Sequence, residues 1–306
     1  MSDYKLPAGI HVFERGWLSS NCIFFDDSQS SWLVDSGYCT HSVQTLDLVE
    51  THLGSRPLDF LINTHLHSDH CGGNAALQVQ YPELVTVIPP GQSALVKVWD
   101  PYGLFYMPTG QLCPRFKFDK KLQISSSIQL GLQAWDVHAA GGHDPHAVLF
   151  FDPISKVLIS GDALWQSGFG VIFPELEGIE AFSDVALTLD LIERLNPSLV
   201  IPGHGCVFKY TPQILATARQ KLEGFVKDPM RLARHGAKVL LKFKLLERQK
   251  LLFSEFSSWA SRTPCLIQYQ RNFFSDLDFS AWIEQLCLEL VKAGVAKREG
   301  DEILNG

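Results

Sequence analysis

Three short β-rich runs, GIHVFERG, LSSNCIFF and SSWLVDSG, open the chain and are separated by Gly, Asp and Ser turns, which predicts strands through the first 40 residues. The period then changes. In HSVQTLDLVETHL, Val43, Leu46, Val49 and Leu53 recur at three- and four-residue steps, so a helix follows, and LDFLINT reads as a buried strand. The alternation repeats with a helix over Asn74–Gln80, the strand LVTVI at 84–88, a helix near 91–99, and the strands QAWDVHA, AVLFF and KVLIS. Phe182, Val185, Leu189, Ile192 and Leu195 mark a helix over 180–195, and SLVIPGHG follows as a strand. Helices interleaved with many short strands predict an α/β layered domain.

From about Thr211 the pattern becomes helical. Segments near 211–227, 230–248, 250–260 and 280–293 carry apolar residues at helical steps, and VAKREGDEIL reads as a terminal hairpin turning at Gly300. A small helical unit closed by a hairpin is winged-helix-like. The expected division is a catalytic domain over 1–212 and a helical domain over 213–306. Charge divides the same way, with −11 over 1–212 and +4 over 213–306. The irregular stretch 99–116, WDPYGLFYMPTGQLCPRF, is longer than an ordinary connection and reads as a functional lid.

Composition narrows the class. With 306 residues, 46% hydrophobic and 19% charged, the chain can bury a sizeable core and is neither disordered nor fibrous. No apolar run approaches the roughly 18 residues of a membrane span, and the opening MSDYKLPAGIHVFERG lacks a basic segment followed by an apolar one. The seven cysteines are scattered with no C-x-x-C pair, which argues against a disulfide framework, so a cytoplasmic location is expected.

The run Thr64-His65-Leu66-His67-Ser68-Asp69-His70-Cys71-Gly72-Gly73-Asn74 directly follows the apolar strand LDFLIN. Three imidazoles and a carboxylate within six residues are hard to place by packing, because each needs a partner when buried. A metal satisfies all four. His65 and His67, two apart at a strand's mouth, point the same way and can grip one ion, while Asp69 and His70 turn toward a second. Downstream, His143 in AAGGHDPHAVLFF, Asp162 in VLISGDALW and His204 in LVIPGHG each stand in a loop beside an apolar run. Residues at strand ends on one sheet edge converge although distant in sequence. One such residue alone reads as a turn or cap; three beside the first cluster read as ligands.

These motifs carry a resemblance. T-H-x-H-x-D-H at 64–70, G-H-D-P-H at His143, S-G-D at Asp162, P-G-H-G at His204 and an early D-S-G at Asp35 are similar to the ordered motifs of the metallo-β-lactamase superfamily, over roughly residues 8–210. Within it the chain looks like the glyoxalase II-like hydrolases that bridge two metals with an aspartate. The resemblance implies a four-layer αββα sandwich and a dinuclear site, with His65, His67 and His143 on one metal, Asp69, His70 and His204 on the other, and Asp162 bridging. It implies that Asp35 supports the ligand loop from beneath and that His146 stands behind the ligands. Some members also carry a winged-helix-like C-terminal extension.

Function follows as an expectation. The implied enzyme is a metal-dependent hydrolase cleaving a small ester or thioester with a metal-bound hydroxide, with Asp69 orienting the nucleophile. Two divalent cations are implied, zinc first, with iron and manganese also compatible with His and Asp ligands. Lactam-cleaving members of the first subclass resemble one another in having Cys where this chain has Asp162, which disfavours that activity. Tyr102, Tyr106, Trp165 and Phe169 are candidates to wall an apolar substrate pocket, set against ordinary core or loop roles. Two alternatives stand beside this reading. One is a phosphodiesterase or endoribonuclease using a basic stripe, Lys227, Arg231, Arg234, Lys238 and Lys242, within the ten basic residues of 219–250. A solvated helix face balancing the acidic domain is preferred for that stripe, because the whole chain is acidic at −7 and carries no aromatic-interleaved RNA signature. The other is a mononuclear iron thiol or persulfide dioxygenase, which the complete second-metal set disfavours. The expected partner is a small-molecule substrate, with no membrane and no reading of oligomeric state.

Overall fold

The computed structural model describes residues 4–27 and 29–306. Strands β1 (Ile10–Phe13), β2 (Cys22–Asp26), β3 (Ser31–Val34), β4 (Phe60–Ile62), β5 (Val85–Ile88) and β6 (Lys120–Lys121) form one sheet in that order. Strands β7 (Ser126–Leu130), β8 (Gln133–Ala139), β9 (Val148–Asp152), β10 (Val157–Gly161), β11 (Leu199–Pro202) and β12 (Phe208–Lys209) form a second. Where β3, β4 and β5 pair in parallel, and again at β10 and β11, crossover segments return the chain to the same edge, so consecutive loops open together there.

Strand alternation builds the layers. Ile23, Phe25, Val34 and Ile62 from the first sheet meet Trp135, Val137, Phe150, Ile159 and Ile201 from the second in one inter-sheet core. The opposite faces point outward. Phe24, Leu33 and Leu61 pack under helix α1 (Ser42–Leu53), while Leu149, Leu158 and Val200 join a separate cluster with Val185, Leu189 and Ile192. The result is the αββα order expected of the sandwich. In α1 the buried positions are Thr45, Val49 and Leu53; Val43, expected on the apolar face, is 71% exposed, because the helix turns it to solvent.

Short helices α2 (Ser68–Cys71) and α3 (Asn74–Gln80) leave the mouth of β4, α4 (Ser93–Val98) precedes the stretch expected to be a lid, and α5 (Tyr106–Thr109) lies within it. Helix α6 (Phe173–Leu176) precedes α7 (Phe182–Leu195) on the second sheet. Beyond it come α8 (Pro212–Lys227), capped by the Thr211 side chain, α9 (Pro229–Arg248), capped by Asp228, then α10 (Phe253–Ala260), α11 (Pro264–Phe273) and α12 (Phe279–Lys292). The terminal hairpin forms as expected between β14 (Ala296–Glu299) and β15 (Glu302–Asn305), with Gly300 at φ +60°. A third strand, β13 (Lys250–Leu252), pairs with β15, so the segment read as a helix from 250 begins as a strand. One hydrophobic cluster runs from the outer face of the second sheet through α7 to Leu222, Leu240, Phe256, Trp282 and Ile303, and it joins the C-terminal helices to the sandwich.

Candidate metal centre

Seven sequence-selected side chains meet at the shared edge of the two sheets. His67 Nδ1 lies 2.8 Å from His143 Nε2 and 3.1 Å from His65 Nε2. Asp69 Oδ2 lies 3.1 Å from His204 Nε2. Asp162 stands between the groups, 3.4 Å from both His70 Nε2 and His143 Nε2 and 3.9 Å from His204 Nε2. The donor atoms group as His65, His67 and His143; as His65, His70 and Asp162; and as Asp69, His70 and His204. Each trio lies within 4.8 Å.

The outer nitrogen of each imidazole decides what its inner nitrogen offers. His143 Nδ1 donates to the Val171 carbonyl at 2.5 Å. His70 Nδ1 donates to Asp35 Oδ2 at 2.7 Å, and Thr64 Oγ1 donates to the same oxygen at 2.8 Å. That leaves the threonine oxygen to accept from His65 Nδ1 at 3.1 Å. In all three rings Nε2 therefore turns its lone pair inward. Burial and the neighbouring His70, His67 and His143 hold the His65 pKa well below the usual range, and burial and His143 bring His67 down to about 4. Burial opposes charge on His70 as well, yet Asp162 and Asp35 raise its pKa well above normal. Asp162 ionises well below the usual carboxylate range despite its burial, because His70 and His204 face it. The inward nitrogens of His65, His67 and His143 converge at such distances that acceptors point at one another, and His70 Nε2 is buried without a hydrogen-bond partner, held by the two carboxylates in a place where either a proton or a cation fits. A divalent cation in each group satisfies this donor set.

Local sequence explains the placement. Asp35 takes φ +60°, a left-handed conformation that aspartate tolerates, and its backbone N–H donates to Ile62 O while both carboxylate oxygens reach Thr64 and His70. The ligand loop is also held from behind by residues the sequence reading did not single out. Asn63 Nδ2 and Ser36 N donate to His70 O, and Asn74 links the side chains of Asn63 and Ser36. Gly203 stands where a Cβ would lie 2.2 Å from Asp162 Oδ1 and 2.9 Å from His70 Cε1. Gly203→Ala is therefore expected to lower metal affinity by about ten- to a hundredfold without removing a ligand. Competition against a chromophoric chelator measures it; unchanged affinity would contradict this crowding.

A cavity of about 540 Å³ opens onto Asp69, Asp162, His67, His143 and His204. Of the two aspartates Asp69 is the more open, at 15% against 5% for Asp162. Tyr106 and Trp165 line the cavity, and Trp165 Nε1 donates to Asp162 Oδ1 at 3.2 Å. The other two pocket candidates are placed elsewhere. Tyr102 is 60% exposed and outside the lining, and Phe169 turns into the core. His146 is exposed, with its ring against Gly91, and stands apart from the ligand nitrogens. The 99–116 stretch walls the cavity through Leu104, Phe105, Tyr106, Thr109 and Gln111. It is fastened to the ligand loop where Ser68 Oγ donates to Gln111 Oε1 and where Tyr106 Oη meets Cys71 Sγ.

Two further walls were not read from the sequence. Trp17 stacks on His204 with centroids 5.5 Å apart. One face of α9, formed by His235, Lys238, Val239, Lys242, Phe243 and Leu246, lines the cavity, while Leu232, Ala233, Ala237, Leu240 and Leu241 enter the core. The basic stripe is largely paired: Arg234 and Lys238 reach Glu289, Lys227 reaches Glu223, and Lys242 reaches the Val295 carbonyl and Asn305.

Residues 15–204 match the family described as the metallo-beta-lactamase superfamily. A hydroxyacylglutathione hydrolase of Brucella anthropi is 26% identical over 49% of this chain and 46% of its own length. A probable hydroxyacylglutathione hydrolase of Schizosaccharomyces pombe is 22% identical over 58% of this chain and 59% of its own. The chain thus spans about half the length of these relatives. Among solved structures, a beta-lactamase domain protein from Burkholderia ambifaria aligns over 99% of this chain and 94% of its own at 17% identity and a TM-score of 0.59, a likeness of fold.

Proposed function

Because the chain belongs to the metallo-beta-lactamase superfamily and its relatives point to a metal-dependent hydrolase, we propose that it hydrolyses a small ester or thioester at a dinuclear centre. The observation carrying this reading is the convergence of His65, His67 and His143, of Asp69, His70 and His204, and of Asp162 between them, with ring tautomers turned inward. Those residues would hold the ions, with zinc the first choice. Divalent cations held there supply Lewis acidity, lowering the pKa of water toward neutrality and drawing charge from a carbonyl oxygen.

The chain's own groups do the rest. Asp69 faces the cavity and accepts a proton from the attacking water while fixing its direction. The Asp35 carboxylate keeps the Nδ1 proton on His70, and the Val171 carbonyl keeps the one on His143, so neither ring can flip its tautomer during turnover. Trp17, Phe105, Trp165 and Phe173 exclude water and offer apolar contact to an acyl chain. A cavity of about 540 Å³ suits a small molecule, and the internal pairing of the basic stripe supports that choice over a nucleic acid.

The test is a panel of thioester, ester, lactone, phosphodiester and RNA substrates against the metal-loaded protein, with elemental analysis. Thioester or ester turnover with near two equivalents of metal is expected, abolished by a chelator and restored by metal. Phosphodiester cleavage alone, or one equivalent of iron with oxygen uptake, would replace this reading.

A further inference from the structure

Two thiols from segments 42 residues apart meet behind the Tyr106 wall of the cavity, and the hydrolytic reading uses neither. Cys71 Sγ lies 3.8 Å from Cys113 Sγ, near sulfur–sulfur contact. A disulfide holds its sulfurs about 2.0 Å apart, so closing the bond from 3.8 Å asks for a movement of about 1.8 Å.

The two sides differ in how much they can give. Cys71 is buried in α2 directly after His70, and its Sγ also meets Tyr106 Oη at 3.2 Å and the His67 carbonyl at 3.3 Å. Close backbone packing fixes that side: a Cβ at Gly72 would lie 2.6 Å from Cys39 N, and one at Gly73 would lie 2.5 Å from Ser36 O. Cys113 is half-buried on the irregular end of the 99–116 stretch, where Leu112, Pro114 and Arg115 are exposed. The movement therefore falls on the Cys113 side. Cys113 is also the sulfur of the pair that a solute reaches first, and the buried Cys71 answers it.

We propose that Cys71 and Cys113 form a reversible disulfide when the protein meets a hydroperoxide, tying the cavity-wall stretch to the ligand loop. First, the Cys113 sulfur takes one oxygen from hydrogen peroxide: the O–O bond breaks, an S–O bond forms, and Cys113 becomes a sulfenic acid as water leaves. Second, the Cys71 sulfur attacks that of Cys113: the S–S bond forms, the S–O bond breaks, and the departing hydroxide leaves as water with the Cys71 proton. The two sulfurs together lose two electrons and the peroxide gains them. A dithiol reductant reverses the change by exchange. The consequence is mechanical. Ser68–Gln111 and Tyr106–Cys71 fasten this stretch through hydrogen bonds that can open, whereas the covalent bond holds Leu104, Phe105 and Thr109 against the cavity and slows entry and release. None of this depends on which bond is cleaved at the metal centre.

The test treats the zinc-loaded protein with a slight excess of hydrogen peroxide, blocks the remaining thiols in denaturant, and cleaves before aspartates without reductant. Cys39, Cys71 and Cys113 then fall on separate fragments, 35–46, 69–99 and 100–118. In the wild-type protein, mass spectrometry should find 69–99 joined to 100–118 and released by dithiothreitol. Amide hydrogen exchange across 104–116 should slow about tenfold on oxidation. Cys113→Ser should leave Cys71 reduced under the same treatment, and Cys39→Ser should leave the crosslink intact. Four results would overturn the proposal: Cys113 joined to Cys39, Cys113 carrying oxygen while Cys71 stays free, both thiols free, or a crosslink that leaves exchange across 104–116 unchanged. All four are read on the wild-type protein, so none needs a variant to fold. They are also read without turnover, so a protein inactive on every thioester that still closes this bond would sink the hydrolase reading alone.

Discussion

Asp162→Ala is expected to lower turnover roughly a thousandfold and to remove at least one equivalent of bound metal. The carboxylate is buried and stands within 3.9 Å of three imidazoles, at 3.4 Å from His70 and His143 and 3.9 Å from His204. It supplies the negative charge that both ligand groups share. Without it, His70 keeps Asp35 as its acid, but His143 and His204 lose the carboxylate that both face. A loss of about 4 kcal/mol lies within the range for breaking a buried ionic network and corresponds to the thousandfold change. Asp162→Asn separates shape from charge, because the amide oxygen still accepts from Trp165 Nε1. Its melting temperature should stay near wild type while the metal equivalent is lost. Elemental analysis beside steady-state rates decides the matter, and an alanine variant with wild-type rate and metal content would end the bridging assignment.

Asp35 is the site of the second large effect, expressed first as stability. Its carboxylate accepts from Thr64 N and Oγ1 and from His70 Nδ1, all buried. Asp35→Ala orphans those donors and places alanine at φ +60°, so unfolding in urea should show a loss of about 3–5 kcal/mol. Asp35→Asn tolerates the left-handed backbone and retains one acceptor oxygen. It should fold, with metal affinity lowered about ten- to a hundredfold because His70 loses the charge that fixes its ring. An asparagine variant that folds and binds metal as tightly as wild type would show that the carboxylate does not orient His70.

The seven ligand candidates were legible because chemistry forced them into recognisable places. The histidine run is contiguous, and His143, Asp162 and His204 each follow or precede an apolar strand whose end can be read from its burial. Asp144, buried and 3.7 Å from His67 Nε2, lay in the same turn but carried no signal separating it from a turn-forming aspartate. The αββα layers were legible because each strand's alternation divides between two cores. Helix α11 was not, since only Cys265, Leu266 and Tyr269 are buried and Gln268, Gln270, Arg271 and Asn272 interrupt the apolar pattern. Strand β7 puts Ser126, Ile128 and Leu130 on one face and Ser127 and Gln129 on the other, which leaves little apolar pattern to read. The cavity walls were least accessible. Phe169 and Trp165 are four residues apart, yet the turn between them sends one ring into the core and the other to Asp162, and the Phe169 carbonyl accepts from Lys221 of a distant helix. Trp17 reaches His204 only because the loop before β2 is pinned to the β11 end by Asn21, which donates to Pro202 and Gly205.

Helix α9 divides its labour by face, and that division bears on how such a molecule changes over generations. Of the cavity-facing side chains, Val239 also packs against the main core, and Phe243 is buried with Leu18 and Tyr38, so the positions that can be altered while the interior is kept are the polar ones, His235, Lys238 and Lys242. A lineage could exchange one ligand preference for another at those three positions, leaving the candidate metal ligands and the scaffold untouched.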